Sequence, residues 1–316
     1  MKHNTHIYLA AKAIELTRQS VDNTVNKKGT YLKGTKKTKE RRAATERQRI
    51  LQYYKDFLYE ATWAPDDVLR DNDPYHIFKL FTDDEFPDHG FTDKQTYETE
   101  DGVFYKFAGG LPFRADHIAQ EIINMSKLRD FNDQFEIRQI MYQYLLLSHY
   151  LVDAHVPMHC DLRDDPPKAR RDSQPSRRRG KNKPDGEYMK SSAHNDLETL
   201  WDHAVTPVAI EEEILPRTWT KEKLEKTEYS EMITFNFNDC KKQGDIRVPI
   251  IPKRGLLDFM VDVCIESKRR GRILFPIDNP KERNDAVLPE TTRNIFSDCI
   301  GNLMAVWRYI WVSHKS

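Results

Sequence analysis

Several features that mark common protein classes are scarce or missing in this chain of 316 residues. The four cysteines are scattered without a CxxC pair. This excludes a dense disulfide framework and predicts buried thiols. Neither sign of charge dominates, because 50 Lys and Arg residues balance 50 Asp and Glu residues, so no global field indicates binding to nucleic acid or to a membrane. No apolar run is long enough to span a bilayer.

The first residues carry no basic-then-apolar leader, so we expect a cytoplasmic protein, or a secreted one if a leader has been removed. No internal repeat is present, and the length allows one large helical domain or two smaller ones. Two segments are strongly basic: residues 27–49, and a loop over 164–190 that is rich in Pro, Gly and Arg. We expect the second to be mobile. Both predict peripheral contact with anionic surfaces.

The stretch SHYLVDAHVPMHC carries the densest ligand chemistry in the chain. His149 and Asp153 are four residues apart, which places them on one face of a helix. Pro157 predicts that this helix ends near His155 and that the chain turns there. His159 can then return toward the face of the pair, whereas His155 points to roughly the opposite side. A core histidine paired with an aspartate is the alternative for an isolated HxxxD.

A second pair at the same spacing, His194 and Glu198, follows the basic loop in the segment AHNDLE. Together with His149, Asp153 and His159 it makes five side chains of the imidazole and carboxylate types that suit zinc. This combination favours a metal site over a core histidine.

The two motifs together resemble the zinc-dependent phospholipase C family and its relatives, the single-strand nucleases, over about residues 4 to 205. The shared pattern is HxxxD, a proline, a histidine ten residues after the first, and a second HxxxE or HxxxD. The resemblance implies an all-α fold, with one multi-helical domain over residues 1–316 and a site for up to three zinc ions.

The resemblance also implies further ligands in the first quarter of the chain. His6 corresponds to the histidine of the family's opening helix, and Met1 stands where the family's N-terminal residue supplies its amino nitrogen and carbonyl oxygen. Asp66, in the segment ATWAPDD, matches an aspartate that binds zinc and serves as a base for the attacking water. Asp67, one residue away, is the alternative.

Two more positions remain open within the same pattern. His76 is the best match for the next family histidine, with His89 as its competitor. In the second motif we prefer His194 with Glu198, because this keeps a histidine in the site, although the nuclease branch uses an aspartate at the place of Asp202.

Carried over residue by residue, the family site assigns one zinc to His159, His194 and Glu198. The other two are bridged by Asp153 and are completed by Asp66, His76 and His149 on one side and by His6 and Met1 on the other.

The implied activity is that of a zinc-dependent hydrolase, in which zinc-activated water cuts a P–O bond of a phosphodiester. A phospholipid head group is the first expectation for the substrate, as in phospholipase C. A nuclease or nucleotidase acting on single-stranded nucleic acid is the alternative. A third hypothesis is a non-catalytic helical protein with a structural zinc site.

Overall fold

A computed structural model describes most of the chain. It describes residues 2–26, 45–71, 73–80, 96–99, 102–105, 107–128, 133–164, 189–190, 192–209 and 246–313. Helices dominate these ranges, as the all-α expectation requires. The larger parts of both basic segments, 27–44 and 165–188, lie outside the described residues.

The helices are α1 (His3–Asn26), α2 (Tyr54–Asp67), α3 (Leu111–Leu128), α4 (Gln134–Asp153), α5 (Pro157–Cys160), α6 (Ala193–Ala209), α7 (Leu256–Leu274) and α8 (Leu288–Ser313), and residues 45–51 are also helical. In the described part of the chain, none of them is long and apolar enough to cross a membrane. Asn4 and Thr5 are residue types that cap helices, which predicts the start of α1 at one of them. This prediction is wrong, because the helix begins at His3 and includes both residues.

The central helix is α4, and its start after Asp133 agrees with the apolar periodicity that begins there in the sequence. Its N-cap Asp133 accepts hydrogen bonds from the backbone N–H groups of Phe135 and Glu136, which satisfies donors that a helix start leaves free. Every residue from Tyr144 to Asp153 is buried. The helix packs against α1, α2, α3 and α8, so side chains on all its faces meet protein rather than solvent.

The segment ATWAPDD predicts a helix end followed by an acidic turn, and helix α2 contradicts this prediction. The helix runs through Pro65 to Asp67. A proline removes only one backbone hydrogen bond, and the helix resumes its bonding with the N–H of Val68 donating to Ala64 O. Asp66 therefore lies on the last turn of a helix and not in a loop.

Four short strands are an addition to the all-α expectation. They are β1 (Phe78–Leu80), β2 (Thr96–Thr99), β3 (Gly102–Tyr105) and β4 (Phe107–Gly109), and they form the antiparallel pairs β1–β4 and β2–β3. Gly109 has φ +104°, and a Cβ there would lie 2.1 Å from Ile77 O. The β1–β4 contact thus needs glycine, and it holds the chain directly after His76.

The sequence over residues 256–270 and 291–311 predicts two closing helices, and α7 and α8 cover both ranges. Of the four aromatic residues expected in the core, Phe296, Trp307 and Trp311 are buried, and Tyr309 is partly buried against it. The cysteines that the structure describes, Cys160, Cys264 and Cys299, are buried free thiols, which confirms the prediction for them. Cys240 lies outside the described residues.

Candidate metal centre

The turn after α4 brings His159 back toward the motif. Val156 is extended and Pro157 occupies the first position of α5, as the conformational limits of proline dictate. His155 points away as predicted. Its Nδ1–H donates to Leu151 O at 2.6 Å, and its Nε2 accepts from the amide of Asn302 at 2.9 Å.

Asp153 lies at the middle of the candidate site and is only 2% exposed. Its Oδ2 is 2.9 Å from His76 Nδ1 and 3.2 Å from His149 Nε2. Its Oδ1 is 3.4 Å from His6 Nε2 and 3.6 Å from His159 Nδ1. One carboxylate therefore faces histidines from four separate segments of the chain.

Three groups of side chains around this aspartate could hold a metal ion. They are His6 with His149 and Asp153; Asp66 with His76 and His149; and His159 with His194 and Glu198. Within each group the candidate ligand atoms lie within 4.8 Å of one another. The structure thus brings together the candidate ligands named from the sequence, apart from Met1, which lies outside the described residues.

The alternatives considered for the site have different surroundings. Asp67 is exposed and belongs to none of the three groups. The carboxylate of Asp202 accepts the backbone N–H groups of Asn4 and Thr5 at 2.7 and 3.2 Å. It stabilises the first turn of α1, where an acidic group is favourable. His89 lies outside the described residues.

Distances between the candidate ligand atoms fit a shared cation. Zinc–nitrogen bonds of 2.0–2.1 Å in a tetrahedron place ligand atoms about 3.3 Å apart. His149 Nε2 lies 3.1 Å from His76 Nδ1, and His159 Nε2 lies 3.1 Å from His194 Nε2. Glu198 Oε1 is 2.9 Å from His194 Nε2. Two ring nitrogens that face each other can share a single proton, whereas one cation satisfies both lone pairs.

Burial sets the protonation of two of the histidines. It lowers the pKa of His6 to about 3 and that of His159 to about 4, so both rings are neutral at pH 7 and offer a lone pair. Burial also opposes the charge on His149, but Asp153 and Asp66 raise its pKa to about 9.

In the second motif, carboxylates raise the pKa of His194 as they do for His149. Burial opposes a charge on His194, but Asp164 and Glu198 raise its pKa to about 9. Burial also disfavours ionised Asp153 and Glu198, yet the facing histidines hold both pKa values well below their usual range. In the metal-free protein the site is therefore a set of ionised carboxylates held by protons on imidazoles. A metal ion would replace those protons.

Outer contacts orient the histidines from behind. His149 Nδ1–H donates to Thr62 O at 2.8 Å, which directs Nε2 toward the carboxylates. His194 Nδ1 lies 3.4 Å from Asp164 Oδ2, and Lys79 Nζ is 3.3 Å from the same oxygen. A carboxylate behind a histidine is a recurring support of metal ligands. Sequence analysis missed Asp164 and Lys79, because neither has a characteristic spacing to His194.

The metal groups lie on the wall of an open cleft of about 760 Å³. Lys2, Trp63 and Arg70 line the same cleft. Arg70 has φ +46°, a conformation that costs a side-chain-bearing residue energy and is more often found at functional positions. The turn that holds it is closed by the N–H of Asp71, which donates to Pro65 O at 2.9 Å. No sequence signal pointed to Lys2 or Arg70.

Comparisons with models of protein families, with curated proteins and with solved structures give no match to this chain. The function is therefore inferred from the residues of the cleft.

Proposed function

We propose that this protein is a zinc-dependent phosphodiester hydrolase with the helical fold and the chemistry of the zinc-dependent phospholipases C. The observation that supports this most is the convergence of three potential metal-binding groups on Asp153, at the wall of a cleft large enough for a substrate. Imidazole nitrogens and carboxylate oxygens are among the ligands that zinc takes in catalytic sites. Up to three ions would be held.

Bound zinc would supply an acidified water and positive charge toward the phosphate group. The protein's own contribution to proton transfer is Asp66, whose Oδ1 lies 3.6 Å from both His149 Nε2 and His76 Nδ1. Its side chain is 34% exposed, so it borders the space open to substrate. Burial raises the pKa of Asp66, but His149 lowers it below the usual value. Asp66 is thus ionised and able to accept a proton from the attacking water.

Two cations of the cleft wall complement a phosphodiester. Lys2 and Arg70 both line the cleft beside the metal groups, and ammonium and guanidinium groups form strong hydrogen bonds with phosphate oxygens. They would hold the non-reacting oxygens of the substrate, which orients its phosphorus toward the metal groups.

A single-strand nuclease is the second candidate, and Trp63 is the observation that favours it. This indole lines the cleft, where an aromatic ring can stack on a base. The ring stacks on His3, with centroids 4.8 Å apart, and makes edge contacts with His6 and His149, so it is held in a fixed orientation beside the metal groups. A nuclease would share the metal groups and differ only in what the wall of the cleft contacts.

Hydrolysis of phosphatidylcholine vesicles and of single-stranded DNA, each with and without a zinc chelator, tests the proposal. We expect chelator-sensitive turnover of one substrate, which also identifies the branch. Replacing His149 or Asp153 by Ala should abolish it, whereas His155→Gln should not, because His155 lies on the other side of the same helix end. Full activity in both alanine variants would refute the proposal. Zinc that copurifies without turnover of either substrate would instead favour the non-catalytic hypothesis.

A further inference from the structure

A second candidate site lies away from the metal cleft and shares no lining residue with it. A crevice of about 50 Å³ opens between α1, the helical residues 45–51, α4 and α8. We call it the distal crevice and define it by Thr17, Arg47, Met141, Tyr144, Trp307 and Arg308. Thr17 lies three turns beyond His6 on α1, about 16 Å along the helix axis. The distal crevice is therefore separate from the metal cleft.

Two buried N–H groups at this crevice have no hydrogen-bond acceptor in the described part of the chain. They are Arg47 Nε and Trp307 Nε1. Trp307 is only 5% exposed. Leaving a buried donor unsatisfied is energetically costly, and such groups are rare in folded proteins. Both side chains line the same space, so a single acceptor placed there could serve both.

The charges of the crevice are also one-sided. Arg47 and Arg308 both line it, and its described lining contains no carboxylate. The guanidinium of Arg47 lies over the ring of Trp311, 5.5 Å from its centroid, which holds it in place. Burial and Arg308 together lower the pKa of Arg47, as expected for a cation without a counter-charge.

Tyr144 adds a third donor to the lining. Its ring makes an edge contact with Trp307, with centroids 6.2 Å apart, and the residue is 6% exposed. Burial raises the pKa of its hydroxyl well above the usual value, so the phenol keeps its proton. Apart from Thr17, the rest of the lining is apolar and includes Ile50, Leu51, Met141 and Met304. A ligand for this space needs an anionic head and an apolar body.

We propose that the distal crevice binds an aliphatic carboxylate, with the carboxylate between Arg47 and Trp307 and the chain along the apolar side chains. One water needs about 10–15 Å³ of such space, so the crevice takes a carboxylate and the first few carbons of a medium-chain acid. The chain beyond these carbons follows the opening toward solvent.

Isothermal titration with octanoate, and with octanamide as its neutral counterpart, tests this proposal. We expect the protein to bind octanoate at least about tenfold more tightly, since a hydrogen bond to a charged group contributes about 1.5–3 kcal/mol. Arg47→Gln should remove the preference. Trp307→Phe keeps an apolar ring and loses only the N–H donor, so it should weaken octanoate binding about tenfold. Arg49→Gln, at an exposed position of the same helical segment, is the matched control and should bind like the wild type.

Equal affinity for octanoate and octanamide in the wild type would overturn the proposal, as would unchanged octanoate binding in both Arg47→Gln and Trp307→Phe. The test is independent of hydrolysis. A His194→Ala variant, altered only at the metal groups, should bind octanoate normally, so the failure of either proposal can be told from the failure of the other.

Discussion

His149 and His155 lie at the same end of α4, six residues apart, and show how differently one helix end can use two buried histidines. Both are at most 5% exposed. Asp153 and Asp66 raise the pKa of His149 to about 9 against the effect of burial, whereas burial lowers the pKa of His155 to about 4. Burial alone thus does not decide the charge of a histidine. The groups that face it do.

The two sides of the helix end also differ in how hydrogen bonds are completed. His155 has a carbonyl acceptor at one nitrogen and an amide donor at the other, so it needs no further partner. On the metal side, imidazole nitrogens face other imidazole nitrogens at 3.1 Å. A histidine with one acceptor and one donor as partners has a structural role. Imidazole nitrogens that converge on each other indicate a site for a cation.

The largest expected difference between the two sides is in metal content. Asp153→Ala removes both oxygens that face His6 and His149, so we expect it to lose at least two of the three proposed zinc ions. Hydrolysis should fall about a thousandfold or more. His155→Gln should keep all its zinc. Elemental analysis of dialysed proteins, with circular dichroism to verify folding, makes the comparison. A full zinc complement in Asp153→Ala would contradict it.

The pH dependence of zinc affinity is the next effect. His149 and His194 have pKa values near 9 in the metal-free protein, so at pH 7 both carry protons that a metal must displace. Affinity should therefore rise with pH up to about 9, by about tenfold per pH unit for each proton displaced. Competition with a chromophoric chelator at several pH values measures this. His155→Gln should show the same slope, and a flat profile in the wild type would rule out the displacement.

Asp164→Asn tests the support behind the second motif. Loss of the negative charge behind His194 should weaken zinc binding at the proposed site of His159, His194 and Glu198 about 10- to 100-fold. Binding at the two proposed sites beside Asp153 should not change. The matched control is Asp196→Asn, at an exposed position of α6, the helix that carries His194. Stepwise metal removal by a chelator distinguishes the two variants. Equal retention of zinc in both would mean that Asp164 does not support the site.

The smallest effect concerns stability on the side of His155. Its pKa of about 4 in the folded state lies below the unfolded value of about 6.5. As the pH falls below about 6.5, His155 becomes protonated in the unfolded chain but stays neutral in the folded protein. The free energy of unfolding therefore decreases. Between pH 7.5 and 5 the metal-free wild type should lose about 2 kcal/mol more than His155→Gln does. Urea unfolding at both pH values measures the difference, and equal losses would contradict it.

Local rules made part of the site predictable. Four-residue spacing places His149 beside Asp153, and Pro157 turns the chain so that His159 returns, because both effects depend only on backbone geometry. Local sequence rules could not decide whether Asp66 or Asp67 faces the site. Neighbouring residues on a helix point about 100° apart, and only the packing of α2 against α4 turns Asp66 toward His149.

Contacts between distant segments could not be predicted at all. Asp164 meets His194, Asp202 meets the start of α1, and the short β1–β4 pair holds the chain beside His76. None of these pairs has a fixed separation along the chain. The strands also escaped prediction, since three- and four-residue runs are too short for a clear alternation of apolar residues.

The sequence by itself determined the helical character of the protein, the central helix and the chemistry of its candidate ligands, since residue type and periodicity act through neighbours along the chain. Only the tertiary structure decided which ligands meet, which histidines hold protons, and where Arg47 and Trp307 share a crevice. Distances between segments and the loss of water around them arise when the helices pack, and they set both the electrostatics and the unmet hydrogen bonds.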